Sequence, residues 1–361
     1  MSRLKAAVVG ATGIAGQQFL AVLADHPLFE VTVLAASERS AGKKYLDAIR
    51  TQDGALHWFC QEPLHSSFAD LTVVDGHEFD PSSGIDIVFT ALESDAAREL
   101  EPRYARIVPV LSTAAAFRME TDVPILVPGT NSSHMPLIRV MQKKRGWRGF
   151  IIPGANCTTV GLAITLAPLR QAFGIQSVLM TSLQSVSGAG RNPGVIGLDI
   201  IDNVIPHISR EEDKVEQETR KILGSLEDDR IIPASFPVSA TCTRVPVLQG
   251  HTECVSVSLE QPASIDEVRT AFLQFSRDYG QPGLPSAPRR LITVHDDPFR
   301  PQPRLDRDDD EGMTTHVGRI RICRALQHGI SYVLVSHNTR MGAARGAVLM
   351  AEELHLRGYI G

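Results

Sequence analysis

Gly10-Ala11-Thr12-Gly13-Ile14-Ala15-Gly16 decides the fold of this chain. The apolar run Leu4 to Val9 precedes it and the helical spacing of Phe19, Leu20, Val22 and Leu23 follows, so a strand passes through a glycine turn into a helix. In that order the glycines let the backbone approach a pyrophosphate at a helix N-terminus, where unpaired N–H groups favour anions. The alternative is a turn whose glycines serve packing alone; the flanks favour nucleotide binding.

After that helix, Val31 to Ala35 reads as the second strand and is followed by Ser37, Glu38, Arg39 and Ser40. An NAD site usually places a carboxylate there for the ribose hydroxyls, whereas a 2′-phosphate needs hydroxyl donors and an Arg, so Ser37, Arg39 and Ser40 favour NADP and Glu38 dissents. A solvated loop of mixed charge is the other reading. Ile85 to Thr90 and Val108 to Leu111 are further strands separated by a helix from about Asp95, which predicts a parallel, doubly wound sheet to about residue 135. Arg118 lies just past a strand end, the edge where such sheets bind ligands.

The chain has 361 residues, more than one hydrophobic core usually holds, so two domains are expected. A hydrophobic share of 43% supplies material for both cores. The formal charge of -5 gives no electrostatic reason to bind nucleic acid or an anionic membrane. The five cysteines are scattered without a CxxC pair, so neither a disulfide framework nor a cysteine metal site is expected, and no resident metal is assigned. Without a signal-like N-terminus or a long apolar span, the expected location is the cytoplasm.

The second half centres on Gly154-Ala155-Asn156-Cys157-Thr158-Thr159-Val160-Gly161. It joins an apolar strand-like run, Trp147 to Pro153, to an amphipathic helical pattern, Leu162 to Phe173. A thiol at such a junction meets unpaired N–H groups and the helix dipole, which predicts a lowered pKa and a nucleophilic thiolate. A buried structural thiol is the competing reading. Gln184 precedes the glycine-dense loop containing Ser187 and Gly188, Glu211 and Lys214 lie on a charged helix whose default is a solvent-facing surface, and Leu198 to Ile208 reads as an apolar segment between domains or subunits. Cys242 to Val247 and Val255 to Leu259 read as strands with His251 at a hairpin-like bend; residues 286 to 310 read as an irregular arm, and Gly342 to Leu356 as a helix returning to the first domain. The expected architecture is α/β: a Rossmann-like parallel-sheet domain over 1–148, completed by 337–361, and an α+β catalytic and dimerisation domain over 149–336.

The pieces GATGIAG, ASERSAGK, ANCTT, LQSVSGAG, REEDK, RVPVLQGHTEC, RPQPRLDRD and SHNTRMGAA occur in the order seen in aspartate-semialdehyde dehydrogenase, and the chain resembles the archaeal and fungal branch of that family over residues 4 to about 358. The resemblance implies NADPH-dependent reduction of aspartyl 4-phosphate through a thioester, a step toward lysine, threonine, methionine and isoleucine. It implies Cys157 as nucleophile beside Asn156, His251 as acid/base and Gln184 orienting the acyl group. Arg244 matches the ligand of the substrate carboxylate and Glu211 that of its amino group, while Lys214 and Arg118 match the phosphate-holding cations, with Asn131 close by. Gly10, Thr12, Gly13, Ile14, Gly16, Ser37, Arg39, Ser40, Ser187, Gly188 and Asn338 match cofactor contacts. A homodimer or homotetramer is implied.

The chain departs from the family pattern at Gly154, where a polar Asn is common, at Arg191 and Asn192 in the glycine loop, and at Ser112-Thr113-Ala114. A reductase of a CoA thioester or of N-acetylglutamyl phosphate, and a non-catalytic NADP-binding paralogue, are the alternative functions.

Overall fold

Six short strands, β1 (Leu4–Val9), β2 (Phe29–Ala36), β3 (Val73–Asp75), β4 (Ile87–Thr90), β5 (Val110–Ser112) and β6 (Ile151–Pro153), form one sheet in the order β3-β2-β1-β4-β5-β6. Every pairing in it is parallel. Such strands are covered on both faces, and accordingly Ala6, Ala7, Val8 and Val9 in β1 and all four residues of β4 are buried. The computed structural model describes residues 3–189, 197–279 and 283–361, so Arg191 and Asn192 lie outside the described residues.

The strand order reverses between β1 and β4, and ligands of open parallel sheets bind outside the carboxyl ends at such a point. Gly10 sits there with φ +82°, and a Cβ on it would come 2.3 Å from Ala91 O just after β4. Both the left-handed backbone and the contact require glycine. Gly16 lies on the first turn of helix Ile14–Leu23, where a Cβ would fall 2.1 Å from Gly10 O.

The chain crosses to the second half later than expected. The run from Trp147 is a strand only over β6, which closes the first sheet, so the first sheet extends past residue 148 to Pro153. Helix Cys157–Phe173 follows at once. Thr158 through Leu169 are all buried, so this helix is apolar all round rather than amphipathic, being packed against the second sheet and against helices Glu211–Ile222 and Ile265–Asp278, which themselves contact that sheet.

That second sheet contains β7 (Ile175–Gln184), β10 (Val238–Arg244), β11 (His251–Leu259), β12 (Ile292–Val294), β13 (Thr315–Cys323) and β14 (Gly329–Ser336), in the order β10-β7-β11-β14-β13-β12; β8 (Ser225–Glu227) and β9 (Arg230–Ile232) form a separate hairpin. β10 and β11 are not a hairpin, because β7 lies between them, parallel to β10 and antiparallel to β11. This register has a functional result. Arg244 stands beside Gln184, and His251 beside Ser336, so residues from four strands meet at one end of the sheet. Helix Ala344–Leu356 then returns to the first half, where Ala347, Val348, Ala351 and Leu354 join its core.

Candidate active site

A cavity of about 510 Å³ runs from the glycine turn, where Ile14, Ala15 and Ala91 line it, to Cys157, Ser187, Gly188, Glu211, Lys214 and Asn338. The two sheets thus supply opposite ends of one cleft.

Cys157 is the first residue of its helix, and its Sγ lies 3.3 Å from His251 Nε2. The expectation that the helix start acidifies the thiol is corrected by the structure. Burial pushes the thiol up to about 12, Glu211 adds to the rise, and Arg118 and Arg244 only partly oppose it. The helix start still helps, since the Thr158 N–H favours the thiolate, but less than burial opposes it, and Asn156 shares those amides: its side-chain oxygen accepts from Thr158 N at 2.9 Å and Thr159 N at 3.2 Å.

Burial drives His251 down to about 3, with Arg244 and His337 adding to the effect, so the ring is neutral. Ser185 N donates to His251 Nδ1 at 3.1 Å. An amide can only donate, so the ring's proton sits on Nε2, facing the sulfur. His251 therefore meets Cys157 as a hydrogen-bond donor; taking the thiol proton at Nε2 would require an Nδ1–H that Ser185 Oγ, 3.2 Å away, would accept.

Asn338 supports this arrangement. Its Oδ1 accepts from Gly250 N at 2.9 Å and from Ser185 Oγ at 3.1 Å, and its Nδ2 donates to Ser187 Oγ at 2.9 Å. These bonds tie the turn before His251 to the loop that orients its ring.

Glu211 is a hub. Its Oε1 accepts from Asn156 Nδ2 at 2.8 Å and Gln184 Nε2 at 3.2 Å, and Lys214 Nζ lies 3.7 Å from Oε2. Arg118 reaches the same cavity but is held by Glu218 at 3.0 Å and by Thr113 O at 3.1 Å, leaving its Nε without a partner. Arg244 is buried, donates to Ser185 O at 2.7 Å and has no carboxylate partner among the described residues. A buried cation without a counter-ion is costly unless a ligand supplies one. Arg244 and His251 stand one layer beneath Gly188, at which a Cβ would come 3.0 Å from Arg244 Nη1 and 3.2 Å from His251 Cε1.

The structure does not bring Asn131 to this cavity. Its side chain binds Val127 N and Ile125 O, folding its own turn, and it lines a separate pocket.

At the cofactor end, helix Ile14–Leu23 has Gly13 as its N-cap, no side-chain cap and no acid in its first turn, so its leading N–H groups are open to a phosphate. Thr12, half-buried, lies in that turn. Ser37 and Arg39 are exposed just past β2, and Ser40 is buried there with its N–H bonded to Ser37 O. Arg39 has no ion-pair partner among the described residues, which leaves a free cation at the sheet edge. These groups, open helix N–H groups and an unpaired Arg beside hydroxyls, fit NADP.

Residues 5–138 match the family model described as the NAD-binding domain of semialdehyde dehydrogenase, and residues 166–341 match its dimerisation domain. Aspartate-semialdehyde dehydrogenase of Methanothermobacter thermautotrophicus is 46% identical over 96% of this chain and 97% of that protein. The Saccharomyces cerevisiae enzyme is 43% identical over 98% of each. The chain belongs to the aspartate-semialdehyde dehydrogenase family. The crystal structure of the Candida albicans member with NADP superposes with a TM-score of 0.88 at 40% identity, covering 99% of this chain and 100% of that one.

Relative to that family pattern, residue-by-residue reading missed Ser185 and Glu218. Ser185 is the residue after Gln184 and sets the His251 tautomer. Glu218 accepts from Asn156 N at 2.6 Å and from Arg118, linking the nucleophile's loop to a cation. The charged run was expected to face solvent, yet Glu211, Glu218 and Lys221 are buried. The spacing 211, 214, 218, 221 puts one stripe of charge on a single helix face, and that was the available signal.

Proposed function

We propose that this aspartate-semialdehyde dehydrogenase family member carries out the NADPH-dependent reductive dephosphorylation of L-aspartyl 4-phosphate to L-aspartate 4-semialdehyde. The observation that carries this reading is the 3.3 Å pair of Cys157 and His251 at one end of a cavity whose other end is the glycine turn.

In this reading Arg244 pairs with the substrate α-carboxylate, removing its own unmet charge, and Glu211 receives the ammonium group. Lys214 and Arg118 hold the phosphate. His251, in the tautomer whose Nδ1–H is accepted by Ser185 Oγ, takes the Cys157 proton at Nε2; the sulfur attacks the acyl carbon, the S–C bond forms, the C–O bond to phosphate breaks, and phosphate leaves with the electron pair. Gln184, fixed by Glu211, orients the thioester. NADPH held at the glycine turn of Gly10, Gly13 and Gly16 would supply the hydride for the thioester carbon. The resulting oxyanion collapses, releasing the aldehyde and restoring the sulfur, with His251 Nε2–H donating to the negative charge as it shifts.

With β6 counted in the first sheet, we assign dinucleotide binding to 1–153 with 337–361 and catalysis and dimerisation to 154–336. The family match to a dimerisation domain supports oligomerisation, and we infer a homodimer or homotetramer. No helix among the described residues is long and apolar enough to cross a membrane, and five free cysteines support a reducing, cytoplasmic location.

The test is phosphate-dependent reduction of NADP by aspartate semialdehyde, run beside N-acetylglutamyl and CoA-linked substrates. Activity confined to aspartate semialdehyde and lost in Cys157→Ala, on the order of 10⁴-fold or more, is expected. Turnover surviving that substitution rejects the thioester route, and preference for another acyl group rejects the substrate.

A further inference from the structure

Far along the sequence from Cys157, His295 follows β12, His316 lies on β13 and Asp306 ends a short helical turn in the arm. Folding brings the three together. His295 Nε2 is 3.0 Å from His316 Nδ1 and 3.6 Å from Asp306 Oδ1, and His316 Nδ1 is 4.0 Å from the same oxygen. The point equidistant from three donors so spaced lies about 2.1 Å from each, the bond length of zinc to imidazole nitrogen and carboxylate oxygen.

We propose that His295, Asp306 and His316 form a binding site for a divalent transition-metal ion of the zinc class. Two imidazoles and one carboxylate are a donor set that suits such an ion; on binding, the ring that now carries the shared proton would hold it on its other nitrogen, leaving both facing nitrogens free to ligate. The surroundings are those of ligands already oriented. Asp306 is buried, and its Oδ2 accepts from Arg300 Nε at 2.9 Å and from Gln302 N at 2.6 Å. Arg300 Nη2 also bonds Oδ1, which offsets the carboxylate charge. His316 is buried with its Nε2 unbonded, and Asp309 Oδ2 stands 3.8 Å from that nitrogen, in the position of the carboxylate that commonly receives the second N–H of a ligating histidine. The side chain of His295 is 15% exposed, which gives an ion access.

The ion would clamp the arm to the sheet behind the catalytic histidine. Arg307, next to Asp306, donates to Gln249 O at 2.9 Å, and its Cβ lies 3.1 Å from where a Cβ on Gly250 would stand. The role is structural, independent of which acyl group the enzyme reduces.

The test uses the full chain as Cys157→Ser, so that the catalytic thiol does not compete, stripped with a chelator and titrated with Zn²⁺ by calorimetry. One equivalent is expected, with a rise in Tm, and His295→Ala and His316→Ala in the same background should each weaken binding at least tenfold. His295→Ala in the Cys157 enzyme should retain semialdehyde activity, which reports that this variant folds. Absence of stoichiometric binding overturns the proposal, and so does binding that both substitutions leave unchanged.

Discussion

Two helices point their N-termini into the same cleft, and they are finished differently. Helix Ile14–Leu23 begins at a glycine with no side-chain cap, whereas helix Cys157–Phe173 begins at Asn156, which spends its oxygen on two leading amides. The first end is left open for an anion that arrives with the cofactor. The second is capped, so the Thr158 N–H is shared between Asn156 and the sulfur, and the thiolate charge also relies on His251, Arg118 and Arg244. The same backbone feature serves as a binding site in one place and as a scaffold in the other.

The strongest way to break this contrast is at the open end. Gly10→Val places a branched side chain at φ +82° against Ala91 O, and NADP affinity should fall at least 100-fold in a fluorescence titration. Thr12→Ala, which leaves the backbone free, should cost far less; equal losses would show that side chains, not amides, hold the phosphate.

At the closed end, alkylation of Cys157 by iodoacetamide in the ligand-free enzyme should run at least tenfold slower at pH 7 than at the same cysteine in unfolded chain. A raised thiol pKa means less thiolate at neutral pH, so the rate should climb about tenfold per pH unit through pH 9. Peptide mapping by mass spectrometry reads it, and a plateau below pH 8 would show the helix start acidifying the sulfur after all.

Asn338→Ala separates the two ends by kinetics. Because Asn338 braces Ser185 and Gly250, kcat should drop about tenfold with KM for NADPH within about twofold. A rise in KM alone would make it a nicotinamide contact. The smallest effect belongs to Asn156→Ala, where loss of the cap should lower stability by about 1 kcal/mol in urea denaturation. No change there would mean that solvent satisfies Thr158 N and Thr159 N as well as the cap does.

The legible parts of the site share a property. GATGIAG acts within seven residues, and the strand before it and helix after it are its immediate neighbours, so local spacing was sufficient. Cys157 and His251 stood out as residue types, and the family pattern tied them together. Glu218 looked like one more surface acid because a charged helix usually faces water, and only packing against β10 and helix Cys157–Phe173 turned its stripe inward. Asn131 shows the converse, since a position that matches the pattern folds its own turn outside the cavity.

By itself the sequence determined that a parallel α/β sheet binds a dinucleotide, because alternating apolar strands, helical spacing and glycines that admit a positive φ are properties of short segments. Tertiary structure alone decided which tautomer His251 adopts, how acidic Cys157 is and which cations remain unpaired. Each depends on burial and on partners many residues away, brought side by side by β7, β10, β11 and β14 ending at one edge, and no local pattern encodes that pairing order.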